Sequence, residues 1–380
     1  MLKEPQQLKE DEGDFFRDPN AARFPSYPTE PAVKAIYRVN PAFPASTINI
    51  FACGSTLGNL LRFVREVDKP FRFNVERVGN TVFFVRKENS PRELITGIHG
   101  YGHTFPEAYT TWEADVAGSE THQRLIQYTF GGLKCLVRFE CDGYINTSAP
   151  VNSPQGSTSN ATASDDDDLV TALAALSGPS SSGLSDGPLN IMTGGAAVPQ
   201  SSIFDLKTRS GRYGQTIDMD NFLPLLFLKQ IPNFVVAYHD GAGRFEPANI
   251  QVRSVESEVE EWENENKEAL ERLAVLLHKI IEIAKTDERG LLEVYRSRFD
   301  HLEIRQQYGE GTHALPEALR EAWSLSVCPD QALETATDPG DEETGPDYQG
   351  LPSDDESDDE FKDFTACSAD SCGYCGRCSY

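Results

Sequence analysis

Basic residues are scarce in this chain: 34 Lys and Arg stand against 60 Asp and Glu in 380 residues, a formal net charge of -26. Non-specific nucleic-acid binding driven by counterion release needs a basic face, and its absence counts against that class. It does not count against a metal-dependent nuclease, whose active site must itself be acidic. Long hydrophobic runs are missing too. No window approaches the 18 uninterrupted apolar residues of a membrane helix, and no membrane contact is expected. The opening MLKEPQQLKEDEGDF has no apolar stretch, so no secretory signal is expected. The expected location is intracellular, nuclear or cytoplasmic, and the triplets at Asn146 and Asn160 then carry no glycosylation. In that setting the eight Cys read as thiols or metal ligands rather than disulfides. Neither a P-loop nor a Ser or Cys nucleophile triad is present.

The acidity is concentrated. Pro329 to Asp363 holds 14 acids and one base, and Pro150 to Gln200 holds five Asp and no base. What remains is mildly acidic and patterned like a globular core. Residues 1–30 are polar and Pro-rich, an extended arm. Residues 31–325 read as one α/β domain, a mixed β-sheet core flanked by helices. Within it, 150–200 is a Ser/Thr/Gly/Asp insertion too poor in apolar residues to offset the entropy of ordering. Residues 326–366 form an acidic disordered tail suited to a basic protein partner, and 367–380 are Cys-rich. Ser353 and Ser357, in SDDESDDE, suit an acidophilic kinase.

Periodicity fills in the domain. GSTLGNLLRFV places Leu57, Leu60, Leu61 and Val64 at helical spacing, with Ser55 or Thr56 as N-cap. FRFNVERVGNTVFFV reads as a hairpin turning at Gly79-Asn80. Helix is expected over 90–98, strand or helix over 119–128, and strand in GLKCLVRFECDGY, ending at Gly143. Further strands lie in SSIFDLKTR and NFVVAYHD, with a short helix in DNFLPLLFLKQ between them. The longest helix is expected over 257–285, and more helix over 287–325.

Two charged groupings interrupt the apolar strands. Residues two apart on a strand share a face, which pairs Glu140 with Asp142 and Asp205 with Lys207. If the strands adjoin, three carboxylates and an ammonium converge. Hard oxygen ligands suit Mg²⁺ or Mn²⁺, and an ammonium steadies an attacking hydroxide. Chance alone supplies about ten acid-x-acid triplets in a chain this acidic, so the weight lies in the setting. Charge inside strands built of Leu136, Val137, Phe139, Ile203, Phe204 and Leu206 is costly unless it acts. The bland reading is a pair of solvent-facing edge strands. His103 and the aromatic residues Tyr101, Phe105, Tyr109 and Trp112 are read mainly as packing, although they suit base stacking.

The order GYGHTFPE, FECDGY, IFDLKTR, IPNFVVAYHD, preceded by the helix–hairpin unit, resembles the PD-(D/E)XK nuclease superfamily. Within it the order is similar to the DXO family of RNA 5′-end decapping exonucleases. The likeness spans roughly residues 51 to 250. It implies a metal-dependent hydrolase acting at RNA 5′ ends, with Glu107, Glu140, Asp142 and Asp205 as acidic metal-site residues. Lys207 would orient the nucleophilic water, and Arg209 and Arg212 would meet phosphates. Asp205 stands where the family carries Glu, one methylene or ~1.5 Å longer, and the start of GSTLGNLLRF lacks the family's Arg. Two alternatives stay open: an inactive scaffold that keeps the fold, and a DNA exonuclease with a Cys-bound metal cluster.

Cys367, Cys372, Cys375 and Cys378 are spaced to hold Zn²⁺ or an iron–sulfur cluster. Protein prepared without oxygen is expected to contain Zn or Fe by elemental analysis, and to lose it in Cys375→Ser. A colourless, metal-free preparation removes both possibilities.

Overall fold

The computed structural model describes residues 4–146, 189, 191–212, 217–297 and 301–325. Most of the 150–200 insertion, the acidic tail, Ser353, Ser357 and the C-terminal Cys cluster lie outside the described residues. The arm enters as two short strands, β1 (Gln6–Gln7) and β2 (Phe15–Phe16), before helices α1 (Pro19–Arg23) and α2 (Glu30–Val39). Then come β3 (Ile50–Cys53), α3 (Gly54–Val64), the hairpin β4 (Phe71–Val78) and β5 (Thr81–Arg86), β6 (Leu94–Ile95) and α4 (Thr104–Tyr109). β7 (Gln123–Phe130), β8 (Leu133–Glu140) and β9 (Gly143–Tyr144) follow. Next are β10 (Ile203–Ser210), α5 (Leu223–Lys229), β11 (Asn233–His239) and β12 (Arg244–Ser254). The last are α6 (Glu256–Glu265), α7 (Lys267–Thr286), β13 (Leu291–Arg296), β14 (Glu303–Gln306) and α8 (Glu317–Leu325).

Two mixed sheets carry the fold. The larger runs β14-β13-β4-β5-β3-β8-β7 and the smaller β1-β12-β11-β10-β9, while β2 and β6 pair alone. β3 lies parallel to both β5 and β8, and β10 lies parallel to β11 through the α5 crossover. One core joins the sheets. Val75, Phe84, Val137 and Phe139 of the larger sheet share it with Ile203, Phe234 and Val236 of the smaller. Helices α3, α5 and α7 fill it with Leu57, Leu60, Leu226 and Leu273. The opposite face of the larger sheet packs on α2 and α8 through Phe51, Phe83, Leu136 and Trp323. The opposite face of the smaller sheet packs on α4 through Phe204, Leu206, Phe105 and Phe245.

Several local expectations give way to tertiary pairing. Residues 90–98 are not helical, because Leu94 and Ile95 pair with Phe16 and Phe15 of the arm. Leu291–Arg296 and Glu303–Gln306 form strands, because β13 pairs with β4 along its length and β14 pairs with β13; their apolar residues fit a pleat as well as a helix face. The long helix is divided at Asn266 into α6 and α7. Helix α3 starts at Gly54 on an N-cap of Cys53, two residues before Ser55 and three before Thr56. The Glu140–Asp142 strand is divided as well: β8 ends at Glu140, and Gly143 opens β9 in the other sheet.

Helix α8 closes the large sheet. Trp323 is 1% exposed, and its indole N–H donates to Thr81 Oγ1 at 2.8 Å. Buried Glu76 accepts from the Ala314 N–H and pairs with His313 at 2.5 Å. Trp323→Ala is expected to cost about 3–5 kcal/mol in urea unfolding, since it removes the largest buried side chain of that face.

Candidate active site: a carboxylate pair between two lysines

The site forms where the chain passes from one sheet to the other. Cys141 and Asp142 bridge β8 and β9, and β9 pairs with β10 through Gly143↔Phe204 and Tyr144↔Ile203. Gly143 has no side chain because Phe204 fills that space, its ring 2.5 Å from where a Cβ would stand. This close approach lets Asp142 reach β10, where its Oδ2 accepts the Leu206 N–H at 2.6 Å. Along β10, Ile203, Asp205 and Lys207 alternate with Phe204 and Leu206. The first set faces the joint core and the second faces α4.

Asp205 is the centre. Its Oδ1 lies 3.1 Å from Lys207 Nζ, its Oδ2 lies 3.4 Å from Lys229 Nζ, and it shares a side-chain hydrogen bond with Asp142. All three partners of the ion pairs are buried, at 7% exposed for Asp205, 8% for Lys207 and 9% for Lys229. The two aspartates titrate in opposite senses. Burial, then the neighbouring Asp205 charge, pushes the Asp142 carboxyl well above its usual range. Asp205 is held below its own: burial opposes ionisation, but Lys207 and Lys229 together override it. Asp142 therefore holds the shared proton and donates it to Asp205, the arrangement expected of carboxylates too close to ionise together. Glu140 stands at the open lip. Enclosure raises its carboxyl, with Lys229 and then Lys207 pulling the other way.

The other residues singled out from sequence are spread more widely. Glu107 is exposed on α4, the helix packed on the far face of the small sheet. Arg209 follows Lys207 on the same face of β10, and Arg212 donates to the Asp240 carbonyl at 2.8 Å. His103 stacks on Phe15 at 3.7 Å, and Tyr101, Phe105 and Tyr109 pack around Phe245. These residues pack as expected, whereas Trp112 does not: it stands 44% exposed. Lys229 is the side chain at this site that motif reading misses. It ends a helix, LPLLFLK, whose seven residues are all buried, and a lone cation closing such a run was its available signal.

Among the described residues, no group of three or more His, Cys, Asp or Glu is gathered to hold a metal ion. The donors that do meet, Asp142 and Asp205, are hard oxygens. Mg²⁺ commonly takes one or two protein carboxylates, with water completing its shell, so the donors suit Mg²⁺ or Mn²⁺ once an ion displaces the Asp142 proton and an ammonium from Asp205. No described helix is long and apolar enough to cross a membrane.

The raised Asp142 carboxyl has a definite linkage sign. Below the unfolded value near 3.9 the group is protonated in both states and costs nothing. From there up to the raised folded value the unfolded chain ionises while the native state keeps its proton, so stability falls across that window. Asp142→Asn keeps an acceptor for Leu206 and a donor for Asp205 without that charge. It is expected to stabilise the protein at pH 8 by on the order of 1 kcal/mol and to have little effect at pH 4, as read from melting curves.

Among solved structures, the chain is similar to Scheffersomyces stipitis Rai1 in complex with (3′-NADP)⁺ and calcium ion. That match has 13% identity and a TM-score of 0.49, covering 81% of each chain. It is also similar to Candida albicans Rai1 in complex with pU5-Mn²⁺, at 9% identity and TM-score 0.46, covering 86% of this chain and 97% of that one. K. lactis Dxo1 in complex with manganese matches at 10% identity and TM-score 0.43, covering 82% and 94%. No curated protein matches the sequence. The profile of a domain of unknown function, DUF8563, matches residues 2–323, more than half of the chain, and the protein belongs to that family.

Proposed function

We propose that the protein is a metal-dependent nuclease that hydrolyses RNA phosphodiesters at 5′ ends. The observation that carries this reading is the buried Asp142–Asp205 pair with Lys207 on Asp205. Buried charge of this kind is costly to fold around and has a ready use in phosphoryl chemistry. The motif order in the sequence supports the same reading and supplies the preference for RNA ends.

Asp142 and Asp205 would hold a Mg²⁺ or Mn²⁺ ion, with Glu140 at the lip. When bound, such an ion polarises the phosphate and offsets developing charge. Lys207, anchored by Asp205, holds the attacking water by hydrogen bonding. The water oxygen bonds to phosphorus and sheds its proton to solvent. The opposite P–O ester bond breaks, and its electron pair leaves on an oxygen that takes up a proton. Arg209, near the end of β10, and Arg212, just past it, would meet phosphates further along the strand.

A second reading, a binding module that keeps the fold without catalysis, is favoured by one observation. Among the described residues no third carboxylate joins Asp142 and Asp205 in a metal-sized group, and both oxygens of Asp205 already face ammonium groups. One panel separates the two. Purified protein with Mg²⁺ or Mn²⁺ is presented with RNA bearing a 5′-monophosphate, triphosphate, unmethylated cap or methylated cap, beside single-stranded DNA. The nuclease reading expects metal-dependent cleavage that favours RNA and falls by at least about 10³-fold in Asp142→Ala and Lys207→Ala, both still folded. Silence on every substrate, with no Mn²⁺ binding by calorimetry, establishes the binding module; cleavage confined to DNA transfers the assignment to a DNA exonuclease.

A further inference from the structure

We infer that Lys229 is a second catalytic cation, one that grips a non-bridging oxygen of the scissile phosphate from the side opposite Lys207. The inference rests on the nuclease reading and adds to it a residue from a different element. Lys207 comes from β10, whereas Lys229 comes from the end of α5, and the two ammonium groups approach different oxygens of one carboxylate, at 3.1 and 3.4 Å. Glu140 lies within electrostatic reach of both ammonium groups, so the two lysines face two carboxylates in all. Burying a second ammonium on Asp205 still carries a desolvation cost beyond that of a single pair. A phosphate lying over Asp205 would have an ammonium on each flank, and its transition state, which carries its charge on non-bridging oxygens, would use both.

The surrounding chain is built to admit this side chain. Lys229 is the last residue of α5, where a cation also suits the helix dipole. That role alone is met equally well by an exposed lysine, and Lys229 is buried at 9% exposed. Gln230 follows in the left-handed region at φ 51°, which stops the helix at this residue. Across from it, α3 opens with Gly54. A Cβ there would meet Lys229 Cγ at 3.2 Å and Cε at 3.6 Å. Gly54 has an ordinary helical conformation, and no turn requires glycine there; the space belongs to the lysine stem. Two elements distant in sequence thus agree on delivering one ammonium to Asp205.

The test compares kcat on oligonucleotides whose scissile linkage is an ordinary phosphodiester or an uncharged methylphosphonate. Lys229→Met should lower kcat on the phosphodiester by about 10²-fold, with KM little changed. Wild type's preference for the charged linkage should shrink by a similar factor, and Lys229→Arg should recover most of both. Gly54→Ala, which retains the lysine and places a better helix former in α3, should lower kcat several-fold by crowding the stem. In a Lys229→Met background the same change should cost nothing further. If wild type cleaves, Lys207→Ala is inactive and Lys229→Met keeps either the full rate or the full preference for charge, the second cation is disproved while the nuclease reading stands. If wild type cleaves no substrate, both fall together. Should Lys229→Met fail to fold, Gly54→Ala and Lys229→Arg decide: an unaltered linkage preference in Gly54→Ala overturns the inference.

Discussion

One buried carboxylate sets the terms for the middle of this molecule. Asp205 sits on a strand whose neighbours in the core are Ile203 and Phe234, a place where an unpaired charge would be prohibitive. Its ionisation is sustained by two lysines from two elements and by a proton kept on Asp142. The Asp142 side chain is in turn held in place by the Leu206 N–H, one residue along the same strand. Strand β10, the β8–β9 passage and helix α5 must therefore be in register within a few tenths of an ångström before the charge is tolerated. The close Gly143–Phe204 and Gly54–Lys229 approaches are the backbone side of the same requirement.

Much of this was legible in the sequence where local pattern and final environment agree. The β4–β5 hairpin, helix α3 and strands β10 and β11 follow from periodicity, and acids among apolar strand residues marked Asp205 and Lys207 before any geometry. The pattern failed where distant chain supplied the partner. Leu94 and Ile95 became a strand because Phe15 and Phe16 lie alongside them. Leu291 to Arg296 became a strand because β4 offered an unpaired edge. Glu140 and Asp142 look like one strand face, yet they lie on either side of the step between sheets, a step that two-residue alternation does not encode. Lys229 carries no motif at all. Its meaning depends on Asp205, 24 residues away, and on a missing Cβ at position 54, 175 residues away.

The division of labour among the faces explains why the site can be strained without loosening the fold. The far face of the large sheet is an aromatic cluster closed by Trp323, and the far face of the small sheet is another, built on Phe245. Neither shares a side chain with the carboxylate pair. Stability held in these outer layers leaves the centre free to keep costly charge, the arrangement expected where function and stability compete.

The order of strands also bears on how the chain acquires its shape during synthesis. Gln6 and Gln7 pair with residues 245 and 244, and Phe71 to Glu76 pair with residues 296 to 291. Glu76 then finds its hydrogen-bond donor at Ala314. Contacts this distant are slow to form because loop closure precedes any gain from pairing. A chain leaving the ribosome holds β4 with one edge open until some 220 further residues have emerged, and the small sheet waits for β12 before its first strand has a partner. Exposed strand edges of that duration are what chaperones bind and what aggregates recruit, so yield of the intact protein will depend on the rate and temperature of its synthesis more steeply than its final packing implies.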